Sequence, residues 1–228
     1  METTPEFELG PVNPVLKETL LTHVYRELRG MLMNGRLRPG QELKVRALAS
    51  HFGTSVQPVR EALLQLVAEK VLEPATGASA RVPVLDEPRL LDLRTVRLSI
   101  EGLAASLAAV RCTPKDVDAL REIVEREAEA DDAQRIEASV QRNREFHFRL
   151  YQLSGSALLP SIIEQLWLQI GPNIRDAAEV FDARHGKGSE FHVDILDALA
   201  RRDADGVREA LENDIGRFFE VLLERGMH

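Results

Sequence analysis

Apolar residues recur at helical spacing along most of the chain, and the clearest instance lies in residues 41–73. Two amphipathic segments meet there at Gly53, a residue that ends a helix in the left-handed conformation without a Cβ clash. Ser55 or Thr54 is placed to cap the second segment, and Pro58 falls in its first turn, where a missing N–H costs nothing. Two helices joined by a short glycine turn are typical of a helix-turn-helix unit. The apolar stripes are Val45, Leu48, Ala49 and Phe52, then Val59, Ala62, Leu63 and Leu66.

The segments on either side extend this unit to a winged helix-turn-helix. Residues 20–34 predict a helix, and residues 71–84 predict two short strands around a small tip. In a helix-turn-helix the second helix enters the DNA major groove, whereas a plain helical hairpin of the same spacing has no such role. The residues expected at base edges are Ser55, Val56, Gln57 and Arg60.

The chain after a linker at residues 83–88 is predicted to be entirely helical. Connections between the helices are short, so neighbouring helices should run antiparallel in a bundle. The predicted fold is therefore mainly α, with a flexible tail at residues 1–18, a winged helix-turn-helix at 19–84 and an all-α domain at 85–228. The bundle helices are predicted at residues 87–110, 113–130, 133–153, 157–179, 190–202 and 204–225, with a loop at 182–189. The predicted core face of the first is Leu90, Leu93, Val96, Ile100, Leu103 and Leu107.

Charge is divided unequally between the two parts. The whole chain carries a net charge of −8, which by itself argues against nucleic acid. Residues 19–84 contain nine Lys and Arg against five Glu, a net of +4, and residues 85–228 contain nineteen against twenty-eight acidic residues, a net of −9. A weakly basic module joined to an acidic one is expected of a DNA-binding head. Because the head is only weakly basic, we expect two copies to bind paired half-sites together, as a homodimer.

Cysteine content and hydropathy indicate the cellular compartment in which the protein works. Cys112 is the single cysteine, which excludes an intrachain disulfide and a thiolate zinc site. The sequence has no long apolar run, and its first residues do not resemble a signal peptide. We therefore expect a cytoplasmic protein without a membrane partner.

Polar residues interrupt the apolar stripes of three bundle helices. Asn143 and His147 lie four apart on one otherwise apolar face, His192 shares a stripe with leucines, and Asp214 interrupts the stripe of the last helix. A lone core histidine is usually only hydrogen-bonded, and Asp214 alone could pair with Arg217. A buried carboxylate is costly unless it is paired or binds a metal, so four such residues together favour a site. Imidazole and carboxylate suit a divalent transition metal ion such as Zn²⁺, and direct binding of an organic effector is the alternative.

The residues of the head also match a known family in order and spacing. The matching segments are Leu37-Arg38-Pro39-Gly40, Val45-Arg46-Ala47-Leu48-Ala49, Phe52-Gly53-Thr54-Ser55, Pro58-Val59-Arg60-Glu61-Ala62-Leu63, Leu66 and Val71-Leu72. Over residues 19–84 this pattern resembles the GntR family of bacterial transcription regulators. Val56 stands where that family usually has Arg, so the preferred operator should differ from the commonest one. The predicted DNA contacts are Lys44, Arg46, Ser55, Gln57, Arg60, Gly77 and Ser79.

The bundle carries a second, looser resemblance over residues 86–225. The matching residues are Leu93-Arg94-Thr95-Val96-Arg97 with Glu101, Phe146-His147, Leu153-Ser154-Gly155, Phe191-His192, Ile195, Ala198-Leu199, Asp203-Ala204 and Ala210-Leu211. They resemble the FCD ligand-binding domain of the FadR subfamily. Metal-binding FCD domains use an Asp and three His, and here Asn143 and Asp214 replace the Asp and the last His. The resemblance also implies that Arg97 binds an effector carboxylate, although an Arg on a helix face is more often solvated or paired, here with Glu101.

These features predict a transcription regulator, in most such cases a repressor, and not an enzyme. The resemblance implies three partners: double-stranded operator DNA with paired half-sites, a small organic acid and a second copy of the chain. One alternative is a metal-dependent helical-bundle enzyme, for which no Glu-x-x-His pair is present. Another is a regulator whose bundle only dimerises and has a dry interior. The predicted effector contacts are Arg97 and Asn143, and the predicted metal ligands are His147, His192, Asp214 and Asn143.

Overall fold

A computed structural model describes residues 19–77, 79–184 and 188–226 of the chain. The tail predicted at residues 1–18 and the centre of the loop predicted at 182–189 lie outside these ranges. The described residues are mainly α-helical with a small sheet, as predicted. Within these ranges a head of three helices and three short strands comes first, and a bundle of six helices follows it.

The head is a winged helix-turn-helix. Its elements are α1 (Leu20–Met33), β1 (Glu42–Leu43), α2 (Val45–His51), α3 (Val56–Ala68), β2 (Glu73–Pro74) and β3 (Ala80–Arg81). The predicted hairpin is present, with Glu73 of β2 opposite Arg81 of β3 in an antiparallel pair. A further strand, β1, pairs with β3 on its other side. The prediction lacks β1, a two-residue strand that exists only through its pairing with the distant β3.

Local signals place the ends of the head helices. Thr19 caps α1, because its side-chain oxygen accepts a hydrogen bond from the Thr22 N–H at 3.1 Å. Gly53 lies at φ 62° in the turn after α2, the left-handed conformation that the turn requires. Of the two predicted caps of α3, Ser55 occupies the N-cap position, and its side chain makes no capping hydrogen bond. The Ser55 side chain is therefore presented to solvent at the start of the recognition helix.

Six helices form the described part of the bundle. They are α4 (Glu87–Arg111), α5 (Pro114–Asp132), α6 (Ile136–Gln152), α7 (Leu159–Arg184), α8 (Gly188–Ala200) and α9 (Ala204–Gly226). Helix α4 packs most extensively on α9, and α5 contacts both α6 and α8. The loop predicted at 182–189 is wrong at its described ends, since α7 continues to Arg184 and α8 begins at Gly188.

The buried face of α4 begins as predicted, with Leu90 and Leu93 buried, and then differs from the prediction. Val96 and Leu103, both predicted to be core, are 37% and 45% exposed. The centre of the buried face instead holds Arg97, Glu101 and a row of alanines. Helix α4 thus has two apolar faces, and periodicity alone cannot decide which of them packs inside. The face of small side chains lies inside because it allows a neighbouring helix to approach closely, and its buried alanines are Ala104, Ala105, Ala108 and Ala109.

The head packs on the bundle through α1 and α7. Gly171 of α7 lies directly against the backbone of α1, since a Cβ at this position would stand 2.6 Å from the Leu32 carbonyl oxygen and 2.8 Å from the Met33 Cα. At the same interface Arg29 forms an ion pair with Glu164 at 3.1 Å. The absence of a side chain at Gly171 therefore sets how closely the two helices approach.

We expect Gly171→Ala to destabilise the protein by about 1–3 kcal/mol, because the added methyl group would meet backbone that cannot move aside. Gly30 of α1 provides the matched control, since a Cβ there would meet no atom within 4 Å. Gly30→Ala should stabilise the protein by roughly 0.5–1 kcal/mol through helix propensity. Urea unfolding of both variants measures the free energies of unfolding, and equal values would contradict the close α1–α7 contact.

Candidate metal centre and nucleic-acid interface

Three side chains from different bundle helices meet at one point. His147 of α6, His192 of α8 and Asp214 of α9 each place one ligand atom within 4.8 Å of the other two. The His147 Nε2 atom lies 3.2 Å from His192 Nε2 and 3.2 Å from Asp214 Oδ2. Both histidines are buried, and the Asp214 side chain is 15% exposed. Residues that interrupt three separate stripes in the sequence thus form a single cluster.

Asn143, the fourth predicted residue, lies at the edge of this cluster. Its Nδ2 atom is 3.5 Å from His192 Nε2. A half-turn of the amide would present Oδ1 to the same point, and an amide oxygen is an acceptor that a cation can bind. Asn143 is therefore close enough to take part in the site, without adding a negative charge to it.

A buried carboxylate orients His192 from behind. His192 Nδ1 lies 2.7 Å from Glu127 Oε2 of α5, and Glu127 is 1% exposed. An ionised carboxylate only accepts hydrogen bonds, so Nδ1 carries the proton and the Nε2 lone pair points into the cluster. Histidines that bind metals commonly donate their other N–H to a carboxylate in this way. Glu127 is missing from the sequence prediction, although it interrupts the apolar stripe of α5 just as Asp214 interrupts that of α9.

A tyrosine hydroxyl contacts Nδ1 of His147, the same ring nitrogen that Glu127 contacts in His192. His147 Nδ1 lies 3.1 Å from the Tyr151 hydroxyl, which also hydrogen-bonds to Glu101. Glu101 in turn accepts hydrogen bonds from Arg97 Nε at 2.5 Å and Trp167 Nε1 at 3.2 Å. Tyr151 and Glu101 are fully buried. The sequence prediction omits Tyr151, because an aromatic residue on an apolar stripe cannot be distinguished from ordinary core.

The arrangement of acceptors fits a divalent transition metal ion. With both Nδ1 atoms turned outward, two Nε2 lone pairs and the Asp214 carboxylate face one another. Three acceptors at this spacing repel one another unless protons or a cation lie between them. Ligands about 2.0–2.1 Å from a tetrahedral zinc ion stand about 3.3 Å apart. His147 Nε2 lies 3.2 Å from both His192 Nε2 and Asp214 Oδ2, close to this spacing, and all three ligand atoms lie within 4.8 Å of one another. His147, His192 and Asp214 could therefore hold a metal ion with one position left open.

The pKa values of His192 and Asp214 are shifted, because charged groups lie close together in the cluster. Burial lowers the pKa of His192, but the carboxylates of Glu127 and Asp214 outweigh burial and raise the pKa of this imidazole above its ordinary value. Burial raises the pKa of Asp214, but the hydrogen bond and charge of His147 outweigh burial and lower it. The metal-free cluster therefore favours a bound proton, which a metal ion would displace.

A cavity opens beside the cluster. It is lined by Arg97, Asn143, His147, Trp167, Asp214 and Phe218, among others. Arg97 is 4% exposed, its guanidinium forms an ion pair with Glu101, and it lies over the Trp167 ring at 4.9 Å from the centroid. The expectation that Arg97 is solvated is therefore wrong, and the expected pairing of Arg97 with Glu101 is confirmed. The guanidinium reaches the cavity wall with its charge already neutralised.

The predicted DNA contacts lie on the surface formed by α2, α3 and the wing. Lys44 is the N-cap residue of α2, and Arg46 lies in its first turn. On α3, Gln57 Nε2 donates to Glu61 Oε1 at 2.6 Å, and Arg60 follows one turn after Val56. Exposed positions are Lys44, Arg46, Ser55, Gln57, Arg60 and Gly77, whereas Ser79 is partly buried. Val56, which replaces the usual Arg, is 41% exposed, so an apolar side chain is available to DNA at this point.

Comparison with known proteins agrees with both halves of this description. The gntR family of bacterial regulatory proteins matches residues 20–82, and the FCD domain matches residues 92–217. The HTH-type transcriptional regulator McbR of Escherichia coli strain K12 is 30% identical over 91% of this chain and 94% of its own length. The chain belongs to the GntR family and carries an FCD domain. The structure of E. coli McbR/YncC has a TM-score of 0.85 at 30% identity, covering 92% of this chain and 99% of that one.

A more distant relative of this GntR regulator has a more specific name. The HTH-type transcriptional repressor RspR of E. coli strain K12 is 24% identical over 96% of this chain and 93% of its own length. The order of a GntR head followed by an FCD domain is FadR-like, as the resemblance implies. The relatives are named as transcriptional regulators, which agrees with a regulator and not an enzyme. Among the described residues, no helix has both the length and the apolar character needed to span a membrane.

Proposed function

We propose that this GntR regulator is a cytoplasmic repressor whose affinity for DNA is controlled by a small organic acid in its FCD domain. The observation that carries the proposal is a cavity with apolar walls and a few charged side chains, beside the His–His–Asp cluster, in the bundle attached to the exposed helix α3. The name of RspR supports repression as the sign of regulation. A cavity with charged side chains in its wall also favours a ligand-binding bundle over one that serves only for dimerisation.

Arg60 is the contact that most directly tests the DNA-binding proposal. We expect Arg60→Ala to weaken operator binding by about 1–3 kcal/mol, because an exposed Arg one turn into α3 can reach a guanine or a phosphate. Arg121→Ala is the matched control, since Arg121 is an exposed Arg on α5 of the bundle. Fluorescence anisotropy, with an operator that the wild-type protein selects from genomic fragments, measures both. Equal affinities for the two variants would contradict this role of Arg60.

The charges around the cavity indicate how an acid could bind there. The charged side chains of the cavity wall are Arg97, Glu127, Asp131, Arg135 and Asp214. Glu101 neutralises Arg97, so three carboxylates outnumber the one remaining cation, Arg135, and a free carboxylate would meet net negative charge. A divalent ion on His147, His192 and Asp214 would reverse this repulsion locally. We therefore assign the effector carboxylate to the open coordination position of the metal ion. Asn143 and Arg97, the predicted effector contacts, line the same cavity and would face the rest of the molecule.

A homodimer is proposed from the outer face of α4. Its exposed or partly exposed apolar residues follow the alternating four- and three-residue spacing of a coiled-coil seam. The residues of this stripe, called the α4 seam below, are Val96, Ile100, Leu103, Leu107 and Val110. Two copies of α4 packed through this seam would cover it and hold two weakly basic heads together. Such a pair could bind two half-sites of an operator at once.

The contact between head and bundle provides a route for regulation. Helix α7 contributes Trp167 and Ile174 to the cavity wall, and between them its Gly171 lies against α1. An effector that shifts α7 would therefore also shift α1, and with it the recognition helix that packs on α1. Regulation requires that the effector bind one arrangement of the heads more tightly than another.

A further inference from the structure

A buried chain of side chains runs from Arg97 to the metal-site histidine. The Tyr151 hydroxyl contacts both Glu101 and His147 Nδ1, the latter at 3.1 Å. Glu101 also binds the Arg97 guanidinium through two contacts, Nε at 2.5 Å and a terminal nitrogen at 3.2 Å. Arg97 lies 4.9 Å from the centroid of the Trp167 ring, whose Nε1 donates to Glu101 as well. All members of this chain are buried, and each has a defined partner.

The direction of each hydrogen bond in the chain follows from which atoms carry protons. Glu101, paired with Arg97, is an ionised carboxylate and only accepts, so the Tyr151 O–H must donate to it. The phenol has a single proton, and this hydrogen bond to Glu101 uses it. The phenol oxygen can then only accept from His147, whose Nδ1 carries the proton. The opposite nitrogen, Nε2, is left with its lone pair toward His192 and Asp214.

We infer that Arg97, Glu101 and Tyr151 are positioning residues that fix the tautomer and orientation of His147 as a metal ligand. Arg97 acts through Glu101 and Tyr151, and its charge is used within the protein, not on the effector carboxylate. In His192 the carboxylate of Glu127 likewise accepts the Nδ1–H and turns Nε2 toward the site. The acceptor is therefore a carboxylate for His192 and a phenol oxygen for His147. This inference rests on the metal site of the proposed function.

Tyr151→Phe removes one oxygen atom and leaves the aromatic packing in place. Without that oxygen, the Nδ1–H of His147 loses its acceptor, and the imidazole can adopt the other tautomer, in which Nε2 is protonated. We expect the Zn²⁺ affinity of the variant to fall about 10–100-fold, as for other residues that orient metal ligands. The matched control is Tyr25→Phe, because Tyr25 is the other tyrosine of the chain and its hydroxyl likewise donates to a carboxylate, Glu69 at 2.7 Å.

The experiment measures Zn²⁺ affinity by competition with a chromophoric chelator, together with the visible spectrum of Co²⁺-loaded protein. Tyr151→Phe should weaken Zn²⁺ binding and change the Co²⁺ ligand-field bands, whereas Tyr25→Phe should match wild type in both. Tyr151→Phe in a His147→Ala background should cause no further loss, because its effect passes through that imidazole. Wild-type binding by Tyr151→Phe, with wild-type Co²⁺ bands, would overturn the inference while the metal site stood. Absence of Zn²⁺ and Co²⁺ binding by wild type would overturn the metal site itself.

A measurement on wild type alone avoids any effect of substitution on folding. Long-range ¹H–¹⁵N correlation spectra distinguish protonated from unprotonated ring nitrogens in the diamagnetic Zn²⁺-loaded protein. For His147 we expect a protonated Nδ1 and a metal-bound Nε2. A metal-bound Nδ1, or an Nδ1 without a proton, would contradict the proposed chain of hydrogen bonds.

Discussion

Replacing both His147 and His192 by alanine should abolish metal binding, whereas the wild-type protein should carry about one divalent ion per chain. The substitutions remove two of the three ligand atoms that converge within 4.8 Å and leave Asp214 without a partner in the site. Loss of a single orienting partner already costs about 10–100-fold in metal affinity, so loss of two ligands should cost far more. Elemental analysis of protein purified without a polyhistidine tag or chelator measures the metal content directly.

The control for this experiment is the double variant His23→Ala/His51→Ala. Both residues are exposed histidines of the head, so the same two substitutions are made outside the bundle. Metal retained by His147→Ala/His192→Ala would show that the cluster is not the metal site. Metal absent from wild type and control alike would mean that Asn143 and Asp214 have made the site unfit for metal. The cavity would then be a direct site for an organic ligand.

The same proteins test the effector proposal. A dicarboxylate such as succinate should raise the melting temperature of metal-loaded wild type, because a ligand that binds only the folded state stabilises it by about 2.7 kcal/mol at a concentration 100 times its Kd. The double histidine variant should show no such shift, since it has lost the metal ion while the carboxylates of Glu127, Asp131 and Asp214 remain in the cavity wall. An equal shift in both proteins would show that the acid binds without metal.

The helix-turn-helix was predictable because its signals are local. Gly53 must adopt a positive φ, and Pro58 can only lie early in a helix, so a few residues determine where α2 ends and α3 begins. The wing hairpin is likewise visible around its Gly77 turn. Strand β1 was not predictable, because it exists only through its pairing with β3, a segment nearly forty residues away.

The candidate site was predictable wherever a polar residue interrupts an apolar stripe. His147, His192 and Asp214 all show this signal, and the structure brings them together. Glu127 shows it too, but on a helix with many acidic residues, where one more carboxylate is not conspicuous. The role of Tyr151 depends on its contact with Glu101, fifty positions away, which no local pattern encodes.

The prediction of which face of α4 is buried contained the largest error, and this error is informative. Leu90 and Leu93 are buried as predicted, but the later large apolar residues lie wholly or partly at the surface of the single chain, while alanines and the Arg97–Glu101 pair lie inside. A stripe of large apolar side chains is usually buried somewhere, because their exposure to water is unfavourable. Burial against a second copy, as proposed, would reconcile the sequence pattern with the position of the stripe in one chain.

Leu103→Glu, at the centre of the α4 seam, should therefore convert the proposed dimer to a monomer. Leu103 is 45% exposed in the single chain, so the substitution should not disturb the bundle core, but it would place like charges opposite each other across the seam. A monomer has only one head and loses the gain from binding two half-sites together. We expect its operator affinity to fall about 10²–10⁴-fold. Light scattering after size-exclusion chromatography gives the mass, and anisotropy gives the affinity.

Leu158→Glu is the matched control, because Leu158 is 70% exposed and lies outside α4. It introduces the same charge into the same domain and should leave both mass and operator affinity unchanged. A Leu103→Glu protein that remains dimeric would show that another surface joins the two copies. A monomeric Leu103→Glu protein that binds the operator as tightly as wild type would show instead that one head suffices. In that case the weak positive charge of the head would have to be offset by base contacts, in which Gln57 and Arg60 would carry most of the affinity.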